Sequence, residues 1–424
     1  MKIENLKLIT SGDRTRAAAT VTWEDCDRPA RELYIETPQP FADDLSCNPH
    51  SFLLGCIIPA LHHGERRIYI DAAICPELKE NLITAMSYQI NWFGLQRDPV
   101  QIHAKTQTQL TLPTQPRRAA SFFSGGVDSF STVRANRLKF SSEHPRYIKD
   151  GLLVYGFDLG QSERDTRLPL FEEIASSLSK VATAVGMTLI PVYTNIRHLN
   201  NQGLFWGEKF HGAALAAVAH AFSRRLSHVA IASSDTISTL KPYGSHPLLD
   251  PLYGSYDLSL QHDNIRLSRF QKTQLITGCE VSLQNLRVCT STARLRPGEL
   301  NCGRCEKCYR TMAALVALGV LHKTSAFPKD DLTEQELANV HIDNRAIAYF
   351  YQEMLLPLEL AGRHDLVRGI EHSLRICQFR LYGRQVKRFG REALQSLRSL
   401  SLASLKSAKT ADAKSELTVR SPIS

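Results

Sequence analysis

The feature that most constrains this chain is a regular alternation of short apolar segments with longer amphipathic ones, which begins at Arg118. The short segments are rich in β-branched residues, as strands are, and the longer ones carry apolar residues at helical spacing. This alternation predicts a parallel sheet with right-handed crossovers, whose ligands bind at the carboxyl ends of the strands. The predicted strands are Ala119–Phe123, Gly151–Phe157, Thr188–Tyr193 and His228–Ala232, and the predicted helices are Ser129–Phe140, Leu168–Val185 and Gly203–Arg225.

The length of 424 residues predicts more than one domain. Strand-like and helical segments are mixed in the first hundred residues, so we predict an α+β module over residues 1–112. The α/β domain then occupies residues 113–325. A helical region follows over residues 326–408, and residues 409–424 have the polar, aperiodic composition of a disordered tail.

Export and membrane insertion are not expected from this sequence. Residues 1–10 alternate polar and apolar side chains and lack the apolar core of a secretory signal. The most apolar stretches, such as 212–222 and 312–321, are shorter than the roughly 20 residues that cross a bilayer. We therefore expect a cytoplasmic protein without a membrane partner.

The net charge of +9 is concentrated near the C-terminus. Residues 380–424 contain ten Lys or Arg and three Asp or Glu, a net charge of +7 (10 minus 3). Val386, Phe389 and Leu394 fall on one face of a predicted basic helix in this region. Such a helix suits a partner protein, RNA phosphate or the chain's own domain. Nucleic acid is not favoured, because the charge lies outside the predicted α/β core.

A glycine-rich turn joins the first predicted strand to the first predicted helix. Glycines allow the backbone to approach an anion, and the free N–H groups of a first helical turn attract it. The serines add hydroxyl donors, and Asp128 suits Mg²⁺ or one of its waters. The turn consists of Ser124, Gly125, Gly126, Val127, Asp128 and Ser129.

This turn resembles the Ser-Gly-Gly-x-Asp-Ser signature of the PP-loop ATPase superfamily, and every signature position is matched. The resemblance implies a Rossmann-like domain that binds ATP through its pyrophosphate and transfers AMP, with Asp128 and Ser129 as catalytic residues. Asp158, directly after the second predicted strand, is a further candidate to contact the nucleotide. No Gly-x-x-x-x-Gly-Lys motif occurs, so γ-phosphate chemistry of the Walker type is not supported.

Four cysteines predict a metal site. Cys302, Cys305 and Cys308 are spaced two residues apart, and Cys289 lies thirteen positions before Cys302. Four thiolates satisfy a tetrahedral Zn²⁺, and Gly303 suits the tight turn of a zinc knuckle. An iron–sulfur cluster uses the same ligands, but the close triplet favours a structural zinc without a catalytic role.

The turn Ser124–Ser129, followed by one cysteine and then Cys-x-x-Cys-x-x-Cys, is similar to the motif pattern of the 7-cyano-7-deazaguanine synthase (QueC) family. The resemblance covers about residues 118–321. It implies adenylation of a 7-deazaguanine carboxylate, amide formation with ammonia, and dehydration to a nitrile with a second ATP. The added N- and C-terminal regions make the chain look more like the larger QueC-like (QatC-like) proteins of antiphage operons, in which a deazaguanine can be joined to a partner protein.

The segment from Ser233 to Ser255 is rich in hydroxyls, prolines and glycines, a composition that excludes a regular core element. Because it follows the strand His228–Ala232, we expect it at the ligand-binding edge of the sheet. Asp235 is a candidate to contact a purine-like ring, and His246 with Asp250 is a candidate proton-transfer pair. A capped surface loop explains these residues equally well.

Two basic residues follow this segment on an amphipathic stretch. Arg269 and Lys272 are candidates to neutralise the adenylate phosphate or the substrate carboxylate, although surface charge is an equal explanation. The leading hypothesis is therefore an ATP-dependent, C–N bond-forming ligase that uses ATP, Mg²⁺ and Zn²⁺. The alternatives are a tRNA-thiolating PP-loop enzyme and a nucleotide-binding scaffold subunit without turnover.

Overall fold

The computed structural model describes residues 1–107, 116–289, 295 and 298–384. The chain forms two compact units, Met1–Asp330 and Asp331–Ser424. The predicted boundary at residue 112, the predicted basic helix from Val386 onward and the predicted tail over residues 409–424 lie outside the described residues. The division of the chain at residues 112 and 325 stays a prediction.

The first unit is built on a single sheet of mostly parallel strands, which confirms the predicted α/β class. Its order is β10-β9-β6-β7-β8-β3-β2-β1-β4-β5. The strands are β1 (Lys2–Ser11), β2 (Arg14–Thr22), β3 (Arg31–Pro38), β4 (Arg67–Ile74), β5 (Gln101–Thr106), β6 (Arg118–Phe122), β7 (Ile148–Tyr155), β8 (Thr188–Thr194), β9 (Leu226–Ala232) and β10 (Ser259–Asp263).

The two ends of this sheet are built differently. Strands β6 to β10 are all parallel, whereas β1, β2 and β3 form an antiparallel meander. The two parts join where β3 runs antiparallel to β8, with Ile35 opposite Thr194 and Glu36 opposite Tyr193. The predicted N-terminal module and the predicted α/β domain thus share one sheet, and one cluster of buried apolar side chains runs from Met1 to Leu260.

Helices cover the sheet in the first unit and form most of the described part of the second. The three helices predicted between residues 129 and 225 lie within a few residues of their predicted positions. The helices are α1 (Pro49–His63), α2 (Pro76–Phe93), α3 (Val127–Lys139), α4 (Leu168–Ala184), α5 (Gly203–Phe205), α6 (His211–Ala221), α7 (Arg269–Thr277), α8 (Glu280–Gln284), α9 (Glu306–Ala317), α10 (Glu334–Ala338), α11 (Arg345–Gln352), α12 (Leu355–Leu360) and residues 364–384.

Helix α1 was not predicted, because it is apolar on all sides and lacks a polar stripe. Its N-terminus is capped by Asn48, whose Oδ1 accepts a hydrogen bond of 3.0 Å from the His50 N–H. It ends at Gly64, which has a positive φ of 88°. Helix α1 packs against α6, and both are almost entirely buried. A helix that is apolar all round is one buried on every side.

The second unit confirms the predicted helical C-terminal region as far as residue 384. Helix α10 begins with a capping box, in which Thr333 accepts from the Glu336 N–H and the Glu336 side chain accepts from the Thr333 N–H. Among the described helices of both units, none combines the length and the apolar character needed to cross a membrane.

Candidate functional site

The strand order identifies one place in the parallel sheet where the chain changes direction. From β6 the chain continues to β7 and β8 on one side and later returns to β9 and β10 on the other. Ligands of such sheets bind at this switch point, beyond the carboxyl ends of the strands. A cavity of about 380 Å³ lies there, within the range typical of small-molecule sites.

The turn after β6, which we call the phosphate turn, comprises residues Ser124–Ser129. Gly125 has a φ of +75°, a backbone conformation that glycine adopts without strain. The Gly125 carbonyl accepts a hydrogen bond of 2.8 Å from the Arg287 N–H, which holds the turn from behind. Helix α3 starts after Gly126 without a side-chain cap, so its first N–H groups remain available to an anion.

The members of the phosphate turn do not all face the cavity in the same way. Ser124, Gly126, Val127, Asp128 and Ser129 line it. Ser124 is exposed, so its hydroxyl is available to a ligand. The Ser129 hydroxyl donates to the Gly126 carbonyl at 3.0 Å. It can therefore accept a hydrogen bond from a ligand, and it can donate one only if the bond to Gly126 is broken.

Asp128 is paired with two cations. Arg269 Nη1 donates to Asp128 Oδ2, and Lys272 Nζ lies 3.7 Å from Oδ1, beyond hydrogen-bonding distance. Burial would raise the pKa of Asp128, but Arg269 and then Lys272 hold it below its usual value. The buried Oδ1 has no hydrogen-bond partner within the described part of the chain. Because Oδ1 is buried and Oδ2 is held by Arg269, Mg²⁺ would bind Asp128 only on exchange of one of these contacts.

Arg269 and Lys272 have different positions. Arg269 lines the cavity, whereas Lys272 is buried behind Asp128, with 1% of its side chain exposed, and donates to the Ser233 carbonyl. Burial lowers the pKa of Lys272. Lys272 does not line the cavity, which corrects its prediction as a direct substrate contact.

The β7 side of the cavity is mainly apolar. Asp158 lies three residues after β7, is exposed and lines the cavity, so it has the position predicted for a nucleotide contact. Its neighbours in the wall are flat or branched apolar side chains, which suit a heteroaromatic ring. They include Leu152, Leu153, Val154, Phe157, Leu159, Phe171 and Ile174.

The β9 and β10 side carries most of the hydrogen-bonding groups. Asp235 lines it, and its Oδ1 accepts a weak hydrogen bond of 3.4 Å from the Thr239 hydroxyl. We call the following set of lining residues the polar half of the cavity: Ser233, Asp235, Tyr243, Ser245, His246 and His262.

Three glycines fix the loop that supplies much of the polar half. Between α5 and α6 the helix takes a π-helical turn over Trp206–Phe210, a feature frequent at functional sites. The Gly212 N–H donates to the Gly244 carbonyl at 3.1 Å, and the Gly244 N–H donates to the Gly207 carbonyl at 3.3 Å. A Cβ on Gly212 would lie 2.2 Å from the Gly244 oxygen. The loop thus docks through backbone contacts that only glycine permits.

Asp250 organises the polar half from behind and is fully buried. Its Oδ2 lies 2.7 Å from His262 Nδ1 and accepts from the Ser245 hydroxyl at 2.6 Å. Its Oδ1 accepts from the His246 backbone N–H at 3.2 Å. The ring partner of Asp250 is therefore His262, which corrects the predicted pairing with the His246 ring.

The loop from Ser233 to Ser255 is also more deeply packed than its composition predicts. Leu249 and Tyr253 are fully buried and belong to the core of the first unit. A short 3₁₀ helix over Asp250–Tyr253 places them there. The expectation of a segment without a core element was wrong, because single apolar residues between prolines and glycines suffice to anchor a loop.

The four predicted metal ligands converge on one point. The sulfur atoms of Cys289, Cys302, Cys305 and Cys308 all lie within 4.8 Å of one another. The separations are 3.4 Å for Cys305–Cys308 and 3.9 Å for both Cys302–Cys308 and Cys289–Cys305. Tetrahedral zinc with Zn–S bonds of about 2.3 Å requires sulfurs about 3.8 Å apart. The cluster can hold a metal such as zinc.

Asn301, which was not predicted, joins the two chain segments that supply these cysteines. Its Oδ1 accepts from the N–H groups of Val288 and Cys289 at 2.8 and 3.0 Å. Its amide donates to the carbonyls of Leu286 and Ala326 at 2.7 and 2.8 Å. All its hydrogen-bonding groups serve to position the cluster. Nothing in the one-letter pattern distinguishes it from a surface asparagine.

The cysteine cluster also borders the cavity. Cys289 and Lys307, one ligand and one residue from the knuckle, line it together with Arg287. Burial among protein atoms lowers the pKa of Lys307 and of Arg287. The cysteine cluster, predicted as a structural site without a catalytic role, thus forms part of the cavity wall.

Comparison with known proteins identified no protein similar to this chain. No family model, no curated protein and no solved structure matches the chain. The case for a function therefore rests on the geometry of the cavity and on the sequence patterns that line it.

Proposed function

We propose that this chain is an ATP-dependent enzyme that adenylates a carboxylate and then transfers the acyl group to a nitrogen nucleophile. The observation that carries the proposal is the phosphate turn itself. It lies at the switch point of a parallel sheet, precedes an uncapped helix and lines a cavity of ligand size. These are the conditions under which a backbone turn binds phosphate groups.

The residues around the turn support a division of labour in the first step. A substrate carboxylate oxygen attacks the α-phosphorus of ATP, and the bond to the oxygen bridging the α- and β-phosphorus breaks. Pyrophosphate leaves with the bonding electron pair and is held by the N–H groups of the turn and by Ser124. Arg269, whose guanidinium reaches the cavity beside Asp128, offsets the charge on the α-phosphate.

In the second step the nitrogen nucleophile attacks the carbonyl carbon of the acyl adenylate. The bond from that carbon to the AMP oxygen breaks, AMP leaves with the electron pair, and the nitrogen releases a proton. An amide is the product. If the amide oxygen is adenylated by a second ATP, loss of AMP and protons from the nitrogen gives a nitrile.

Two metals fit the proposal. Asp128, on exchange of its Arg269 contact, and Asp158 are the residues that would hold Mg²⁺, which would supply charge neutralisation for the leaving pyrophosphate. The four cysteines would hold Zn²⁺ and fix the wall that carries Arg287 and Lys307. Reduced thiols and ATP use both suit the cytoplasm, where we expect the protein to act.

The finer assignment follows the resemblance of the motifs to the QueC family. The substrate is then a carboxylated 7-deazaguanine, and the nucleophile is ammonia or an amine of a partner protein, as in antiphage QueC-like systems. The polar half, with Asp235, offers hydrogen-bonding groups for such a ring. Thiolation is less well supported, since Cys289 is the cysteine that lines the described cavity and it belongs to the metal cluster.

The proposal is tested by pyrophosphate release from ATP with 7-carboxy-7-deazaguanine and ammonia. Wild type should release pyrophosphate, and Asp128→Ala should lower the rate by roughly 100-fold or more, because Arg269 loses its partner and the divalent cation a ligand. Mass spectrometry of the products separates amide, nitrile and partner-protein conjugate.

The matched control is Asp27→Asn, an exposed carboxylate in the N-terminal part of the chain, which should leave the rate unchanged. Pyrophosphate release that persists in Asp128→Ala would contradict the assigned role of the turn. A wild type that binds ATP but never releases pyrophosphate, with ammonia or with candidate partner proteins, favours the scaffold function.

A further inference from the structure

The cavity has two ends of different chemistry, and the phosphate turn lies between them. The wall near β7 is largely apolar, and the polar half lies toward β9 and β10. An adenine ring fits the apolar end, beside Asp158. The polar half is then left for the second reactant. His262 lies on β10, two strands from β6, which corresponds to about 10 Å at the usual strand spacing. The turn and this ring line the same cavity.

The hydrogen bonds fix different tautomers in the two histidines of the polar half. His262 Nδ1 faces the Asp250 carboxylate at 2.7 Å, so it carries the proton and donates it, which leaves a lone pair on Nε2. His246 Nδ1 accepts from the Leu248 N–H at 3.1 Å, so its proton lies on Nε2. Neither Nε2 has a hydrogen-bond partner among the residues that the structure describes.

The hydrogen bonds around Asp250 hold this arrangement in place. Asp250 is fully buried and accepts hydrogen bonds from Ser245, from the His246 backbone and from His262. The Ser245 hydroxyl lies nearer to Asp250 than to His262, at 2.6 against 3.3 Å. Ser245 therefore supports the carboxylate and is not a nucleophile activated by the ring, since it lies on the Nδ1 side.

We infer that His262 is the general base that takes the proton from the nitrogen nucleophile during acyl transfer, with Asp250 as its positioning residue and His246 as a hydrogen-bond donor to the same reactant. The inference rests on the proposed function. As nitrogen bonds to the carbonyl carbon and AMP leaves with the electron pair, the nitrogen proton passes to His262 Nε2. The Asp250 carboxylate then offsets the charge of the imidazolium.

The experiment separates the two half-reactions with ATP, 7-carboxy-7-deazaguanine and ammonia. Exchange of labelled pyrophosphate into ATP reports adenylation, and amide formation reports transfer. His262→Ala and the better-packed His262→Gln should keep exchange within about threefold of wild type and lower transfer by roughly 100-fold. Asp250→Asn should lower transfer by roughly tenfold or more, because the ring loses its fixed tautomer. His103→Ala, an exposed histidine on β5, is the control and should change neither rate.

Two further readouts distinguish a base from a structural residue. Hydroxylamine, a stronger nucleophile towards acyl groups than ammonia, depends less on a general base and should restore transfer in His262→Gln to within about tenfold of wild type. Nitrogen-15 NMR should show the proton on Nδ1 of His262 and on Nε2 of His246, and Asp250→Asn should reduce the Nδ1–H population of His262.

The failures of the two proposals look different. A wild type without pyrophosphate exchange overturns the proposed function, and this inference with it. Normal exchange with unchanged transfer in His262→Gln overturns the inference alone. An equal loss of both half-reactions in His262→Gln, or an Nε2–H tautomer of His262, overturns it as well.

Discussion

The phosphate turn and the polar half lie on neighbouring strands but are assembled from the chain in opposite ways. The turn is six consecutive residues, and its shape follows from two glycines between a strand and a helix. The polar half draws on residues from Ser233 to His262, held by Asp250 and by the contact between Gly212 and Gly244. The shape of such a turn is determined by consecutive residues, whereas the orientation of the side chains in the polar half depends on how distant backbone segments dock.

Substitution in the cysteine cluster should give the largest effect on activity and stability. The cluster borders the cavity but belongs to neither the phosphate turn nor the polar half. Cys308→Ser removes one of four ligands, so we expect loss of bound metal and a fall in the unfolding free energy of at least about 3 kcal/mol, a fraction of the roughly 10–16 kcal/mol of structural zinc sites. Both half-reactions should fall together. Metal analysis and urea unfolding provide the measurement.

The control for this change is Cys279→Ser, a half-buried thiol outside the cluster, which should retain the metal. A Cys308→Ser protein with full metal content and wild-type stability would show that the four sulfurs do not form one site.

A smaller and more selective effect is expected at Gly244. A Cβ there would lie 2.7 Å from His211 Nδ1 and 2.8 Å from the Phe210 nitrogen, so Gly244→Ala must displace the loop. Because the phosphate turn is not touched, ATP binding by calorimetry should be unchanged. Amide formation should fall between about 10- and 100-fold through misplacement of the polar half.

Gly203→Ala is the matched control for that change, since its Cβ meets nothing within 4 Å. If Gly244→Ala weakened ATP binding as strongly as it slowed amide formation, the phosphate turn and the polar half would not act as independent regions.

The smallest effect is expected at Lys272, which contacts Ser233 of the polar half and Asp128 of the phosphate turn. The lowered pKa of Asp128 stabilises the folded state above the pKa of an unfolded aspartate, near 4, and this stabilisation is lost as the pH falls through the folded pKa. Lys272→Met should raise the pKa of Asp128. The loss of unfolding free energy between pH 6 and 3 should then shrink by up to about 1.4 kcal/mol, one pKa unit.

Urea unfolding across that pH range gives the measurement, with Lys180→Met on the exposed face of α4 as control. An identical pH dependence in Lys272→Met and wild type would mean that the ammonium, at 3.7 Å, does not act on Asp128.

The sequence was sufficient for features whose cause is local. The strand-turn-helix around Gly125 and Gly126 and the spacing of the four cysteines need no knowledge of distant contacts, and the four sulfurs do converge. The α/β class followed from alternating segments for the same reason. The helical character of the described residues after α9 was also predicted, although the individual helices were not.

Features set by tertiary contacts were missed. Strand β10, Ser-Leu-Gln-His-Asp, contains no β-branched residue and forms because it pairs with β9, so His262 gave no signal. Asp250 was paired with the histidine nearest in sequence, because the docking of β10 beside its loop is not encoded within either segment. Lys272 was predicted as a substrate contact or a surface cation, since an amphipathic pattern does not reveal a buried lysine that is hydrogen-bonded to a carbonyl.

The pairing of β3 with β8 has a practical consequence for anyone dissecting this protein. A fragment that starts at residue 116 would keep the phosphate turn, the polar half and the cysteines. It would also leave the N–H and C=O groups of β8 without β3 and uncover apolar residues such as Ile190 and Val192, which are now fully buried. An unprotected edge of this kind recruits other strands. We expect such a fragment to self-associate, so its inactivity would not test the proposed function.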